Sequence, residues 1–375
     1  LAQLAIQQEM VEKTFKQQPL HMPGLGSTGS RLLTGNLEYA QILEKHLAIW
    51  HKRPAALLVN SGYDANLSVL SCLTLNSQVI MDALCHNSLQ MGVRLSRGAR
   101  VRNFRHNNVD DLENILTSRD ANLPSLIVIE SVYSMDGDMA PLNQIFDIAL
   151  KYKACVIVDE AHALGVFGAN GMGLLAELGL ESHPSLLCSV HTFGKAAGCH
   201  GAVICSSQPV KDFLFNYGRP IIYSTALPLH SLVTIGCSYE SMRGNLGNQL
   251  REKVHDRVQY FRELMSNVMA ESKEAIRMVP SVSPIQALVI PGNLECSEFC
   301  QIILAKSNHR IHLFPIRSPT VPSGAERVRI IIHAHNSREE ISKLVGLLWS
   351  TLEEMNLLRE NHSTRNLYDN ARSRL

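Results

Sequence analysis

Short aliphatic runs that alternate with stretches of helical spacing set the tightest limit on how this chain folds. Ala55-Ala56-Leu57-Leu58-Val59, Gln78-Val79-Ile80-Met81, Ser125-Leu126-Ile127-Val128-Ile129-Glu130 and Ala154-Cys155-Val156-Ile157-Val158 are apolar at successive positions, so each reads as a strand buried on both faces. Ser185-Leu186-Leu187-Cys188-Ser189-Val190 and Gly201-Ala202-Val203-Ile204-Cys205 continue the series on either side of a loop of small residues. Such strands joined by helices give an α/β fold, a mainly parallel sheet flanked by helices. Ile42, Leu43, Leu47 and Trp50 predict a helix over Tyr39–His51, and residues 1–22 read as a polar helix and its exit. One long helical stretch from His230 to about Ala270 is expected to bridge to a smaller α+β domain with strands at Ile285–Ile290 and Val328–Ile332 and a helix near Glu339–Met355. The boundaries expected are an N-terminal segment 1–30, a large domain 31–255, a small domain 256–358 and a polar tail 359–375.

Composition narrows the function. The 375 residues suffice for about two domains, and a formal net charge of +1 gives no electrostatic footprint for nucleic acid or an acidic membrane. The substrates are therefore sought among small molecules in a pocket. The nine cysteines are scattered, and Cys296 with Cys300 has no companion cluster at metal-ligand spacing, which predicts no metal and reduced, intracellular thiols. No run of about eighteen apolar residues exists to span a membrane. The first residue is Leu1, not Met, so an N-terminal arm is expected to lie outside this sequence. The final Ser373-Arg374-Leu375 is a close variant of the Ser-Lys-Leu peroxisomal tripeptide, an address that a eukaryotic source would use; otherwise a cytoplasmic location is expected.

The chemistry concentrates at two places. Asp159 closes the run Ala154–Val158, where ligands bind beyond the carboxyl ends of strands, and Lys195 stands in the small-residue segment His191-Thr192-Phe193-Gly194-Lys195-Ala196-Ala197-Gly198. A lysine to carry an aldehyde cofactor covalently, and an acid to keep a ring nitrogen protonated, are what pyridoxal 5'-phosphate requires. His162 is close enough in sequence to reach the ring's phenolic oxygen. Singly these are weak signals, since strand-end acids often cap helices and loop lysines are usually solvated. Their order and spacing favour the cofactor. Pro23–Arg31, rich in glycine and serine, is expected to let backbone approach a ligand or a neighbouring subunit.

With these residues in place, the chain resembles the α-oxoamine synthases, fold-type I pyridoxal phosphate enzymes that condense an amino acid with an acyl-CoA and release carbon dioxide and CoA. The likeness runs from about Gly24 to about Leu348. It implies that Ser61, Gly62 and Tyr63 form the phosphate-holding turn, that His86 stacks on the pyridine face, that Ser134 lies beside the ring and that Thr192 reaches the phosphate. It further implies that Ser224 and Thr225 contact the phosphate of the partner subunit's cofactor in a homodimer, and that Thr320 and Arg329 contact substrate. The catalytic set it implies is Lys195, His86, Asp159 and His162.

Within the family the likeness is strongest to members that join L-alanine to pimeloyl-CoA, or another pimeloyl thioester, in biotin synthesis. Sister members use glycine or serine, and a non-catalytic subunit of the same fold is a third alternative, against which the retained Lys195 argues. Leu37 and Ala40 stand where many members have a histidine, and Ala163 replaces the glycine usual after the active-site histidine.

Overall fold

The computed structural model describes residues 2–17, 26–271, 277–355 and 357. The C-terminal tripeptide, Leu1 and the start of the glycine and serine loop lie outside the described residues. The chain separates into two compact units, one running to Val132 and resuming over Ala140–Gln249, the other made of Tyr133–Met139 and the chain from Leu250 onward. The segment carrying Ser134 thus falls in the second unit, whereas the sequence reading assigned it to the large domain.

The first unit is built on strands β1 (Ala55–Val59), β2 (Gln78–Asp82), β3 (Arg100–Phe104), β4 (Ser125–Glu130), β5 (Cys155–Asp159), β6 (Leu186–Thr192) and β7 (Ala202–Ser206). They form a seven-stranded sheet in the order β1-β7-β6-β5-β4-β2-β3. The contacts among β3, β2, β4, β5 and β6 are parallel, whereas β7 is antiparallel to both β6 and β1. The alternation of the strand pattern appears as two apolar layers. Leu57, Val59, Val128, Ile157 and Ile204 pack with Val69, Leu70, Leu89 and Val93 of the helices Gly62–Leu73 and Asn87–Leu95. Ala56, Leu58, Val203 and Cys205 pack on the other face with Leu43 and Leu47 of the helix Glu38–Trp50 and with Ile235 and Tyr239.

Three expectations need correction. The helical stretch from His230 is two helices, Leu229–Arg243 and Asn245–Glu271, separated at Gly244, whose extended backbone (ψ 178°) breaks the first. β3 was missed because Arg100, Val101, Arg102 and Asn103 are exposed, so it lacks the aliphatic run carried by β1, the strand at the other edge. The second unit has a three-stranded antiparallel sheet, β8 (Ile285–Val289), β10 (Arg327–Ile331) and the short β9 (Phe314–Ile316), the last also without a strand signature in the sequence. Helices Asn293–Lys306 and Arg338–Glu354 cover it through Phe299, Ile303, Leu344 and Leu348.

Glycine and serine in the loop before the helix Glu38–Trp50 serve the fold directly. Ser27 donates to the Ala226 carbonyl at 2.6 Å, and the Ala226 amide donates to the Gly29 carbonyl at 2.9 Å. Arg31, at the end of the same loop, is buried against the Glu44 carboxylate, which also receives Lys211 at 2.7 Å and the Leu58 amide at 2.8 Å. This fully satisfied carboxylate pins the helix to β1.

Glu160, directly after β5, is a second buried carboxyl. It accepts the Leu174 amide at 3.1 Å and the Leu175 amide at 3.4 Å, capping the short helix Leu174–Leu178. Burial, outweighing those hydrogen bonds, pushes its carboxyl up to about 7. A carboxyl raised in the folded state contributes stability that is fully present below its unfolded value of about 4.5 and is lost as pH rises through about 7. Urea unfolding at several pH values should therefore give wild type a decline between those limits that is flattened in Glu160→Gln. In the sheet, Ile157→Ala is expected to cost about 2–5 kcal/mol by the same measurement, because it empties a fully buried site. The change at Leu150, 55% exposed, to alanine should stay within about 0.5 kcal/mol.

Candidate active site

The parallel order brings the carboxyl ends of β4 and β5 side by side, with Glu130 in register with Asp159. Asp159 is buried, and both of its oxygens are held: Asn66 Nδ2 donates to Oδ2 at 2.7 Å and the Ala161 amide donates to Oδ1 at 2.9 Å. Burial raises its pKa, opposed by the Asn66 and Ala161 hydrogen bonds and then by the charges of His86 and Lys195. An isolated buried carboxylate of this kind calls for a cationic partner.

Lys195 is exposed at the tip of the connection between β6 and β7. The sharp reversal explains why β7 runs against its neighbours. The loop closes on itself through Phe193 N–H to the Gly201 carbonyl at 2.9 Å, Cys199 N–H to the Phe193 carbonyl at 2.9 Å and Gly198 N–H to the Lys195 carbonyl at 3.0 Å. Ser238 Oγ ties its Ala197 carbonyl to the helix Leu229–Arg243 at 2.6 Å. Small residues are required here. A Cβ on Gly165, in the loop after β5, would come within 2.7 Å of the Ala196 Cβ, so the loop carrying His162 lies directly against the lysine loop.

A third element meets these. Ser61 N-caps the helix Gly62–Leu73, accepting the Asp64 amide at 3.0 Å and donating to the Asp64 carboxylate at 2.9 Å. The Ala65 amide goes to the Ser61 carbonyl, so the first amides of the helix, those of Gly62 and Tyr63, are left without intrahelical acceptors. Thr192, at the end of β6, faces this turn: a Cβ added to Gly62 would stand 3.1 Å from the Thr192 hydroxyl oxygen. A helix N-terminus, a close hydroxyl and the space left by a missing side chain form a cradle suited to a phosphate group. Together with the lysine and the buried acid, the residues present fit pyridoxal phosphate.

His86 N-caps the helix Asn87–Leu95 from an exposed position, its own amide donating to the Glu130 carboxylate at 2.6 Å. Ser224 and Thr225 line a small open pocket with Arg31, Leu58 and Asn60, and the Asn60 side chain donates to the Thr225 carbonyl at 2.8 Å. Ser134, Thr320 and Arg329 belong to the second unit. There Thr320 is exposed, while the Arg329 Nε is buried without a hydrogen-bond partner and burial lowers the guanidinium pKa. The neighbouring Arg327, by contrast, is paired in the interior with Asp136.

Sequence reasoning missed Asn66, Ser88 and Glu160. Asn66 carried a usable signal: it shares its helix face with Val69 and Leu70, both fully buried, and a polar residue at a core-facing position needs a partner.

A family model for aminotransferase class I and II matches residues 3–348. An 8-amino-7-oxononanoate synthase of Emericella nidulans is 38% identical over 351 residues, covering 90% of this chain and 83% of that protein. One from Trichlorobacter lovleyi is 33% identical, covering 89% and 83%. Among solved structures, a serine palmitoyltransferase of S. paucimobilis with bound PLP and myriocin superposes with a TM-score of 0.83 at 27% identity over 95% of this chain and 84% of that one. An 8-amino-7-oxononanoate synthase of Francisella tularensis shares the fold, with a TM-score of 0.75 at 23% identity over 93% of each chain. Among the described residues no helix is long and apolar enough to cross a membrane. The chain belongs to the aminotransferase class I and II family, in its α-oxoamine synthase branch.

Proposed function

We propose that this protein is a pyridoxal phosphate-dependent acyltransferase that condenses L-alanine with a pimeloyl thioester, giving 8-amino-7-oxononanoate, carbon dioxide and the free thiol. The observation that carries the reading is the buried Asp159 carboxylate, within electrostatic reach of Lys195 and His86. The choice of substrates is supported by the curated relatives in Emericella nidulans and Trichlorobacter lovleyi.

Bound in this site, the cofactor supplies an electron sink beside the α-carbon of the amino acid. Asp159 keeps the proton on the ring nitrogen, so the sink stays available. Lys195 would hold the cofactor through its amine, and the same amine would move the α-proton as general base. The amides of Gly62 and Tyr63, with the Ser61 turn and the Thr192 hydroxyl, bind the phosphate. His86 covers the ring face and orients the thioester carbonyl, and His162 and Ser134 orient the ring oxygen. Arg329, whose Nε lacks a partner, and Thr320 are assigned to the substrate; a planar guanidinium suits a carboxylate.

The assembly proposed is a homodimer in which Ser224 and Thr225 reach the partner's phosphate. Apolar surface supports it: Tyr223 is 81% exposed next to Ser224, and Leu33 is 80% exposed in the loop that bonds to Ala226.

The structural similarity to a serine palmitoyltransferase favours a second reading, a serine or glycine substrate with another acyl chain. Spectral titration of the cofactor-loaded protein with alanine, glycine and serine, followed by pimeloyl-CoA, separates the two. Alanine is expected to perturb the cofactor spectrum at the lowest concentration, and pimeloyl-CoA to trigger release of CoA and carbon dioxide. Preference for serine or glycine, with no thiol release from alanine and pimeloyl-CoA, contradicts the first reading.

A further inference from the structure

Asn66 lies inside the first unit, 1% exposed, on a helix that also buries Ala65, Val69 and Leu70. Its side-chain oxygen has no hydrogen-bond partner, which is costly for a buried acceptor. Its nitrogen is fully used. One hydrogen goes to Asp159 Oδ2 at 2.7 Å and the other to Ser88 Oγ at 2.9 Å. Because a carboxylate only accepts, Asp159 fixes which end of the amide faces it.

The rest of the chain of donors follows. Ser88 Oγ accepts from Asn66, so its single hydrogen is free for His86 Nδ1, which stands 2.7 Å away. The Ser88 backbone N–H also points at His86 Nδ1, at 3.2 Å. Two donors converge on one ring nitrogen, which must then be the unprotonated one. The His86 proton is left on Nε2. The backbone of His86 is held separately by Glu130 at 2.6 Å, and Glu130 is the register partner of Asp159. Adjacent strand ends therefore grip the histidine at both its backbone and its ring.

We propose that Asn66 and Ser88 are positioning residues that join the Asp159 carboxylate to the His86 imidazole in one hydrogen-bonded relay, holding His86 as the Nε2–H tautomer. The role of this relay in turnover rests on the function proposed above; the tautomer does not. His86 would thereby present a hydrogen-bond donor, not a lone pair, to a thioester carbonyl, and one amide bonds the Asp159 carboxylate directly and the His86 imidazole through Ser88. Gly92, one turn beyond Ser88, makes the close approach of the two helices feasible. A Cβ there would come within 2.8 Å of the Asn66 carbonyl and of the Leu70 Cβ.

The test is nitrogen NMR of 15N-histidine protein, cofactor-free and loaded, with the His86 signal assigned by its absence in His86→Gln. The expected result is a protonated Nε2 and a bare Nδ1 in wild type. Ser88→Ala should shift the tautomer balance and lower kcat with pimeloyl-CoA by on the order of tenfold, the scale on which outer partners of a functional imidazole act. Ser88→Thr, which keeps the hydroxyl, should restore the wild-type tautomer. Asn66→Ala should in addition weaken cofactor binding, since Asp159 loses a donor; a melting curve checks that it folds. A wild-type His86 protonated on Nδ1, or a tautomer unchanged in both Ser88→Ala and Asn66→Ala, overturns the relay. Wild type that shows the expected tautomer but does not turn over alanine and pimeloyl-CoA refutes the proposed reaction and leaves the relay standing.

Discussion

Everything at the site depends on keeping one carboxylate, Asp159, in the interior. Removing a carboxylate from water is costly unless charge or hydrogen bonds replace the lost hydration. Here an asparagine side chain and a backbone amide take one oxygen each. Burial still raises the acid's pKa, against those two donors and the charges of His86 and Lys195. A ring nitrogen that carries a proton complements such an acid. The lysine needed to hold such a ring is within electrostatic reach, so the acid and the lysine are two ends of a single design.

The sheet makes that arrangement rigid. Parallel pairing puts the ends of β4 and β5 at one edge of the layer, and burial of successive residues along both strands fixes their register. The single reversal, from β6 into β7, turns the chain sharply just where Lys195 is required. Close packing of Gly165 on Ala196, and of Gly62 on Thr192, then brings together loops that are remote in sequence. Larger residues at these positions would separate the parts of the site without altering any of its chemical groups.

Much of this was legible in the residues. Asp159 announced itself because it ends an aliphatic run, and Lys195 because only small residues surround it. The strands with two buried faces, β4 and β5, were readable for the same reason. What the sequence concealed was of two kinds. β3 carries arginines and no apolar run, because four of its five residues are exposed. The core-facing place of Asn66 was readable, but its link through Ser88 to His86 was not, because that logic is the direction of each hydrogen bond, which only coordinates supply. Ser61 shows the same limit in reverse. The resemblance assigned it to a phosphate, yet its hydroxyl is spent on Asp64, and the amides without intrahelical acceptors are those of Gly62 and Tyr63.

The most direct test of the account is where the cofactor attaches. Protein loaded with pyridoxal phosphate, reduced with borohydride to fix the covalent link, digested and mapped by mass spectrometry should carry the reduced cofactor on Lys195 alone. Label on a different lysine, or protein that saturates with cofactor and yet retains no label after reduction, would contradict it.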